Sequence, residues 1–139
     1  MRIKTSKIRL TTNGTNDIIN ITDKINEIIK EEHFIEGNVL VFVPGATAGI
    51  STIEFEPGLL VDYPNFLEKI IPIAGTYQHN ETWDDGNGYA HVRATLQGAS
   101  LTIPFINSVM ILGTWQQIIL LEFDNRPRNR EIIVQLTGI

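Results

Sequence analysis

Four apolar residues in succession, Ile118, Ile119, Leu120 and Leu121, set the strongest limit on what this chain can fold into. The run is strand-sized. Successive side chains of a strand point to opposite faces, so a strand made of such residues has to be covered on both sides. Ile132, Ile133 and Val134 make the same demand near the end of the chain. One sheet in a chain of 139 residues leaves little helix to cover two faces, so contacts between copies are expected to cover part of it.

The rest of the sequence supplies partners for those strands. Residues 4–11 alternate apolar and polar and end at the turn signal Asn13-Gly14. From Thr22, a plausible N-cap, Ile25, Ile28 and Ile29 fall on one helical face, which predicts a helix over 22–32. Residues 38–43, between Gly37 and Pro44-Gly45, suit a strand buried on both faces, and 46–53 continue extended after a kink. Residues 59–71 have helical spacing, with Pro64 in a first turn or splitting the segment. Residues 74–86 lack periodicity and read as the longest loop, a feature that is often functional in a small domain.

A short helix over 87–96, closed by Gly98 in the left-handed region, is followed by strands at 100–105, 109–112 and 114–123, with Asn107-Ser108 as a tight turn. A last strand at 131–137 follows the polar loop 124–129. The expected fold is α+β: one domain over 1–139, a largely antiparallel, sandwich-like sheet and two or three helices.

Composition narrows the chemistry. There is no cysteine, which excludes a thiol nucleophile, a redox pair and Cys-ligated zinc. A net charge of −5 without a basic stripe argues against nucleic acid as a partner. No apolar stretch is membrane-sized, so no membrane partner and a cytoplasmic location are expected.

The densest group of chemically capable residues runs from His79 to Arg93, with Asn80, Glu81, Asp84, Asp85, Asn87 and His91 between them. Two imidazoles with carboxylates are what a divalent metal site or an acid/base pair requires. The positive end of the 87–96 helix disfavours imidazolium at His91, and its free amides, with Arg93 as countercharge, suit a phosphate or carboxylate. The same residues also fit an Asn cap, a core histidine and a solvated arginine. His33, at the end of the first helix, fits a capping role. The 44–49 loop lacks the Gly-Lys-[Ser/Thr] ending of a Walker loop and reads as a turn or bulge. Arg126, Arg128 and Arg130 fit a solvated turn, a phosphate site or a subunit interface, and Trp115 fits a core position.

Three blocks carry a resemblance that covers nearly the whole chain: Ala46-Thr47-Ala48 through Glu54; Tyr77-x-His79 to Asn87-x-x-Ala90-His91 and Leu96-x-Gly98-x-Ser100; and Ile103-Pro104 through Leu112-Gly113-Thr114-Trp115-Gln116, with Glu122 and Pro127-Arg128 after it. The chain resembles the family represented by YjbQ, sometimes described as secondary thiamine-phosphate synthases. The resemblance implies a homotrimer acting on a phosphorylated small molecule, with a weak ability to join the two halves of thiamine phosphate and release pyrophosphate. It implies catalytic roles for His79, His91, Asn87 and Arg93, and ligand contacts from Thr47, Thr114, Gln116 and Arg128. It also implies a divalent metal, Mg or Zn, on His79, His91 and Glu54. Holding a metal or an anion without turnover is the alternative. Many members carry a histidine where this chain has Gly45, so a three-histidine metal site is not expected here.

Overall fold

The computed structural model describes all 139 residues, Met1–Ile139. In chain order the elements are β1 (Arg2–Thr11), β2 (Asp17–Asn20), α1 (Thr22–Glu31), β3 (Glu36–Phe42), β4 (Ala48–Glu54), α2 (Pro57–Ile70), α3 (Gln78–Trp83), α4 (Gly88–Gln97), β5 (Ser100–Ile106), β6 (Val109–Met110), β7 (Gln116–Glu122) and β8 (Asn129–Gly138). The fold is α+β. The strands form two antiparallel sheets, a five-stranded one ordered β1-β8-β3-β5-β6 and a three-stranded one ordered β2-β7-β4.

β7 meets the demand of its sequence. Ile118 and Leu120 point into the core between the sheets, with Val39, Val41, Ile103, Phe105, Ile132, Val134 and Leu136 from the larger sheet and Ile25 and Ile29 from α1. Ile119 and Leu121 point the other way, into a second core with Phe123, Leu67 of α2 and Tyr89, Ala90 and Ala94 of α4. All four β7 residues are at most 1% exposed. At about 1.5–3 kcal/mol for each fully buried side chain, this strand anchors both layers.

The five-stranded sheet is covered on one face only. Leu40 and Ile133 on its outer face are half-buried and Phe42 is 38% exposed, so β3 is not buried on both faces as its composition suggested. No helix is long and apolar enough to cross a membrane.

There are four helices rather than two or three, because α3 lies inside the segment expected as loop. β2 was also not anticipated. Pro64 lies inside α2 and does not split it, while Glu56 caps that helix by accepting from the amides of Gly58 and Leu59 (2.8 and 2.5 Å). Thr22 is not the cap of α1: Ile21 holds that position, and the Thr22 hydroxyl accepts from the Ile118 amide at 2.8 Å, tying helix to sheet. His33 has φ +55 just past α1; its amide donates to Lys30 O and that of Phe34 to Ile29 O, the paired bonds of a left-handed helix stop. Gly98 has φ +89 with ψ 156, outside the left-handed helical region expected for it. Asn107 and Ser108, with φ of 52 and 61, form the tight turn between β5 and β6.

Candidate functional site

At one end of the sandwich, β7 runs out at Glu122, β8 begins with Asn129 and Arg130, and the β3–β4 connection passes alongside, fixed by the Phe123 amide on Thr47 O (3.0 Å). Glu122 is fully buried and takes both Arg130 Nε (2.9 Å) and Nη2 (2.5 Å), a bidentate pair that joins the two sheets. The Thr12 hydroxyl donates to the same carboxylate at 2.6 Å. Thr47 Oγ1 accepts from Arg130 Nη2 (2.8 Å) and donates to Asp124 Oδ2 (3.2 Å), carrying the network onward.

Asp124, 1% exposed, is its hub. One carboxylate oxygen accepts from Asn87 Nδ2 (3.2 Å) and the Asn125 amide (2.8 Å), the other from Thr47 and from Arg128 Nη1 (2.7 Å). Burial pushes this carboxyl up, but the hydrogen bonds from Asn87, Asn125 and Thr47 and the Arg128 charge outweigh it and hold it below the usual carboxylate range.

Asn87 extends the network to the histidines. Its amide nitrogen is committed to Asp124, so its oxygen accepts from His79 Nε2 at 3.0 Å, and Asp85 Oδ1 lies 3.4 Å from the same nitrogen. The His79 and His91 rings lie against one another, centroids 4.2 Å apart. Burial lowers the pKa of His91, and the neighbouring His79 lowers it further against the opposing pull of Asp85 and Asp124. His91 faces a polar cleft of about 370 Å³, floored by Thr47, Asn87 and Asp124 and walled by Gly45, Arg128 and Arg130. A neutral imidazole there offers one N–H donor and one lone pair beside two guanidinium groups.

Of the residues expected at a site, His79, His91, Asn87, Thr47 and Arg128 come together here. Arg93 does not. It is fully buried against α2, donating to Ile71 O through Nε (3.1 Å) and Nη2 (2.8 Å), to Glu68 (3.0 Å) and to Asn16 (3.3 Å), so it is spent on structure. The helix end expected to receive an anion is also occupied, since the Gly88 amide donates to Asn80 Oδ1 at 2.8 Å. Glu54 pairs with Gln116 at the far end of β4 and β7, six residue steps from the Ala48–Glu122 pair beside the cleft, or roughly 20 Å. Gln116 there bonds Thr52 and the Gly113 amide, Thr114 precedes it, and Trp115 is 71% exposed rather than a core residue. No three His, Asp or Glu side chains converge where a metal would sit, so this chain alone does not supply the expected His79/His91/Glu54 ligand set.

Sequence reasoning passed over Asp124, and it singled out Glu122 and Arg130 without pairing them. Their signal was present: two acidic residues directly after an all-apolar strand, followed by Arg128 and Arg130. Charges that close to a fully buried strand have to pair with one another.

The model of the UPF0047 family of YjbQ-like proteins matches residues 6–139 of the chain. This chain belongs to that family. A UPF0047 protein of Archaeoglobus fulgidus is 40% identical over 119 residues, covering 86% of this chain and 90% of the relative. One from Methanothermobacter thermautotrophicus is 37% identical, covering 99% and 94%. Among solved structures, a Sulfolobus solfataricus protein of unknown function superposes with a TM-score of 0.89 at 28% identity, covering 99% of this chain and all of that one. An uncharacterised family member from Clostridium acetobutylicum gives 0.82 at 34% identity, with 94% and 99% covered.

Proposed function

We propose that this UPF0047 protein acts on a small phosphorylated molecule held in the cleft beside His91, in chemistry that displaces or transfers a phosphate or diphosphate group. One observation carries the reading: a neutral imidazole, with no hydrogen bond from its ring within the chain, opens onto a cleft walled by Arg128 and Arg130. Formation of thiamine phosphate is the specific reaction to assay. There, the thiazole nitrogen forms the new C–N bond at the pyrimidine methylene carbon while the C–O bond to diphosphate breaks and pyrophosphate leaves with the electron pair. The groups at hand match that need, because Arg128, Arg130 and the His91 N–H can donate hydrogen bonds to the departing oxygens. Mg²⁺ would arrive with the diphosphate rather than in a cage built by the protein.

The test is incubation of the purified protein with both thiamine precursors and Mg²⁺, with product followed by chromatography. His91→Ala is expected to lose at least about tenfold in turnover, as for removal of a positioned proton-bearing group. Undiminished turnover in both His91→Ala and His79→Ala removes the pair from the mechanism. A second reading is anion binding without turnover, since both arginines are paired with carboxylates and have less charge left to stabilise a leaving group. A thermal shift with inorganic pyrophosphate and no product from any precursor decides for it.

We also propose that copies assemble as a homotrimer. The outer face of the five-stranded sheet has no helix over it and carries Leu40, Phe42, Ile106 and Ile133. Participation of Glu54, Thr114 or Gln116 in the cleft would require a second copy, given their place at the far end of the sandwich. Light scattering should give three times the 15.6 kDa chain mass, and Phe42→Glu should lower it. A wild-type mass of one chain rules assembly out.

A further inference from the structure

Gly45 lies between two concavities that meet at His91. The first is the arginine-walled cleft. The second is a recess of about 320 Å³ lined by Ala46, Ala48, Ala94, Thr95 and Ala99, and Gly45 and His91 border both. A β-carbon on Gly45 would stand 2.9 Å from Arg130 Nη1. That nitrogen is the one amino group of Arg130 with no partner in the chain: Nε and Nη2 are taken by Glu122 and Thr47. Arg130 is only 5% exposed, yet no side-chain nitrogen or oxygen of the protein is both sealed from solvent and without a partner. The free Nη1 therefore keeps access to solvent, and it lies beside Gly45, which lines the cleft together with Arg130.

We propose that Gly45 determines specificity: its missing side chain lets an anionic group reach Arg130 Nη1 and joins the cleft to the recess. The ligand is then a phosphate ester whose uncharged remainder lies among the alanines beyond His91. A guanidinium held almost wholly inside the protein, with one donor left open, is a preorganised anion contact, since its position is fixed before any ligand arrives. Small side chains around the recess leave room for an uncharged group and offer it little to hydrogen-bond. This inference rests on the reading of the cleft as a phosphate site.

Calorimetric titration with inorganic phosphate and with phenyl phosphate tests it, using the wild-type chain, Gly45→Ala and Thr95→Trp. The wild type should bind phenyl phosphate at least fivefold more tightly than phosphate. Gly45→Ala, which covers Nη1, should weaken both ligands at least fivefold. Thr95→Trp fills the recess from an exposed position on α4, so it should abolish the preference for phenyl phosphate over phosphate. Gly45 has φ +147, where a side chain is strained, so circular dichroism should accompany that variant; if it fails to fold, the Thr95→Trp ratio decides. Equal wild-type affinities for the two ligands, an unchanged ratio in Thr95→Trp, or unaltered binding in a folded Gly45→Ala overturns the proposal. Wild-type protein that binds neither ligand overturns the phosphate reading of the cleft itself, and this inference with it.

Discussion

His91 and Asp124 border one cleft and answer burial in opposite ways. Burial drives the imidazole toward its neutral form, and His79 pushes in the same direction. An NMR titration should therefore place His91 below the ordinary histidine midpoint of about 6.5. His79→Gln removes the second ring and its charge, so the midpoint should rise; no movement would show that the rings do not sense one another. For Asp124 burial works against the charge, and its four hydrogen-bond donors prevail. Its folded pKa lies below the unfolded one, so its contribution to stability is complete above the unfolded value, about 3.9, and is lost as pH falls through the folded value. Urea midpoints measured from pH 7 down to 3 should fall in the wild type and flatten in Asp124→Asn, which should also cost about 2 kcal/mol at pH 7 through the unmatched donors left behind. An acid dependence identical in both would sink this assignment. His79, Asn87 and His91 were legible in the sequence because two imidazoles stand close together among carboxylates and amides, a density of such groups found nowhere else in the chain. Asp124 was not, because its importance comes from burial, and burial depends on Thr47 and Asn87, 77 and 37 residues away.

Among the elements, α3 and α4 differ most in what holds them. α3 has no buried residue, and its ties to the body include Asn80 Oδ1 on the Gly88 amide and His79 on Asn87. Asn80→Ala should let α3 open independently of the rest, with amide exchange in 78–83 accelerating about tenfold while the β7 amides keep their protection. Uniform acceleration throughout the chain would mean that α3 belongs to the global folding unit. α4 is held through Arg93, whose guanidinium satisfies the last turn of α2 at Ile71 O. Arg93→Met should cost about 3 kcal/mol in urea unfolding, by leaving that carbonyl unpaired and removing the Glu68 contact, without changing ligand affinity in the folded fraction. A loss of affinity in fully folded protein would return Arg93 to the site. The same contrast explains which elements sequence could reveal. α1 and the long strands bury a stripe or a face and so leave a period in the sequence. α3 buries nothing, and β2 is four residues, three half-buried and one exposed, so neither leaves one.

Across the whole molecule, the site and the stability of the fold share one device. Glu122 ends the three-stranded sheet and Arg130 starts the last strand of the five-stranded one, so their bidentate pair joins the two layers at the mouth of the cleft. The sequence revealed the strands but not this junction, because which strand ends meet is a property of the two-sheet topology and not of local pattern. Removing one partner of a buried pair strands the other charge, which typically costs about 3–5 kcal/mol, whereas replacing both by apolar residues of similar volume is often neutral or better. Glu122→Leu alone should therefore destabilise strongly, and Glu122→Leu combined with Arg130→Met should recover most of that loss. If the pair exists mainly to hold the sheets together, the double variant will bind pyrophosphate as the wild type does. If it exists to present Arg130 Nη1 to the cleft, the double variant will be stable and will not bind. The second outcome is expected, because an apolar pair would rivet the layers just as well, while only a guanidinium clamped through Nε and Nη2 leaves a fixed donor facing the ligand.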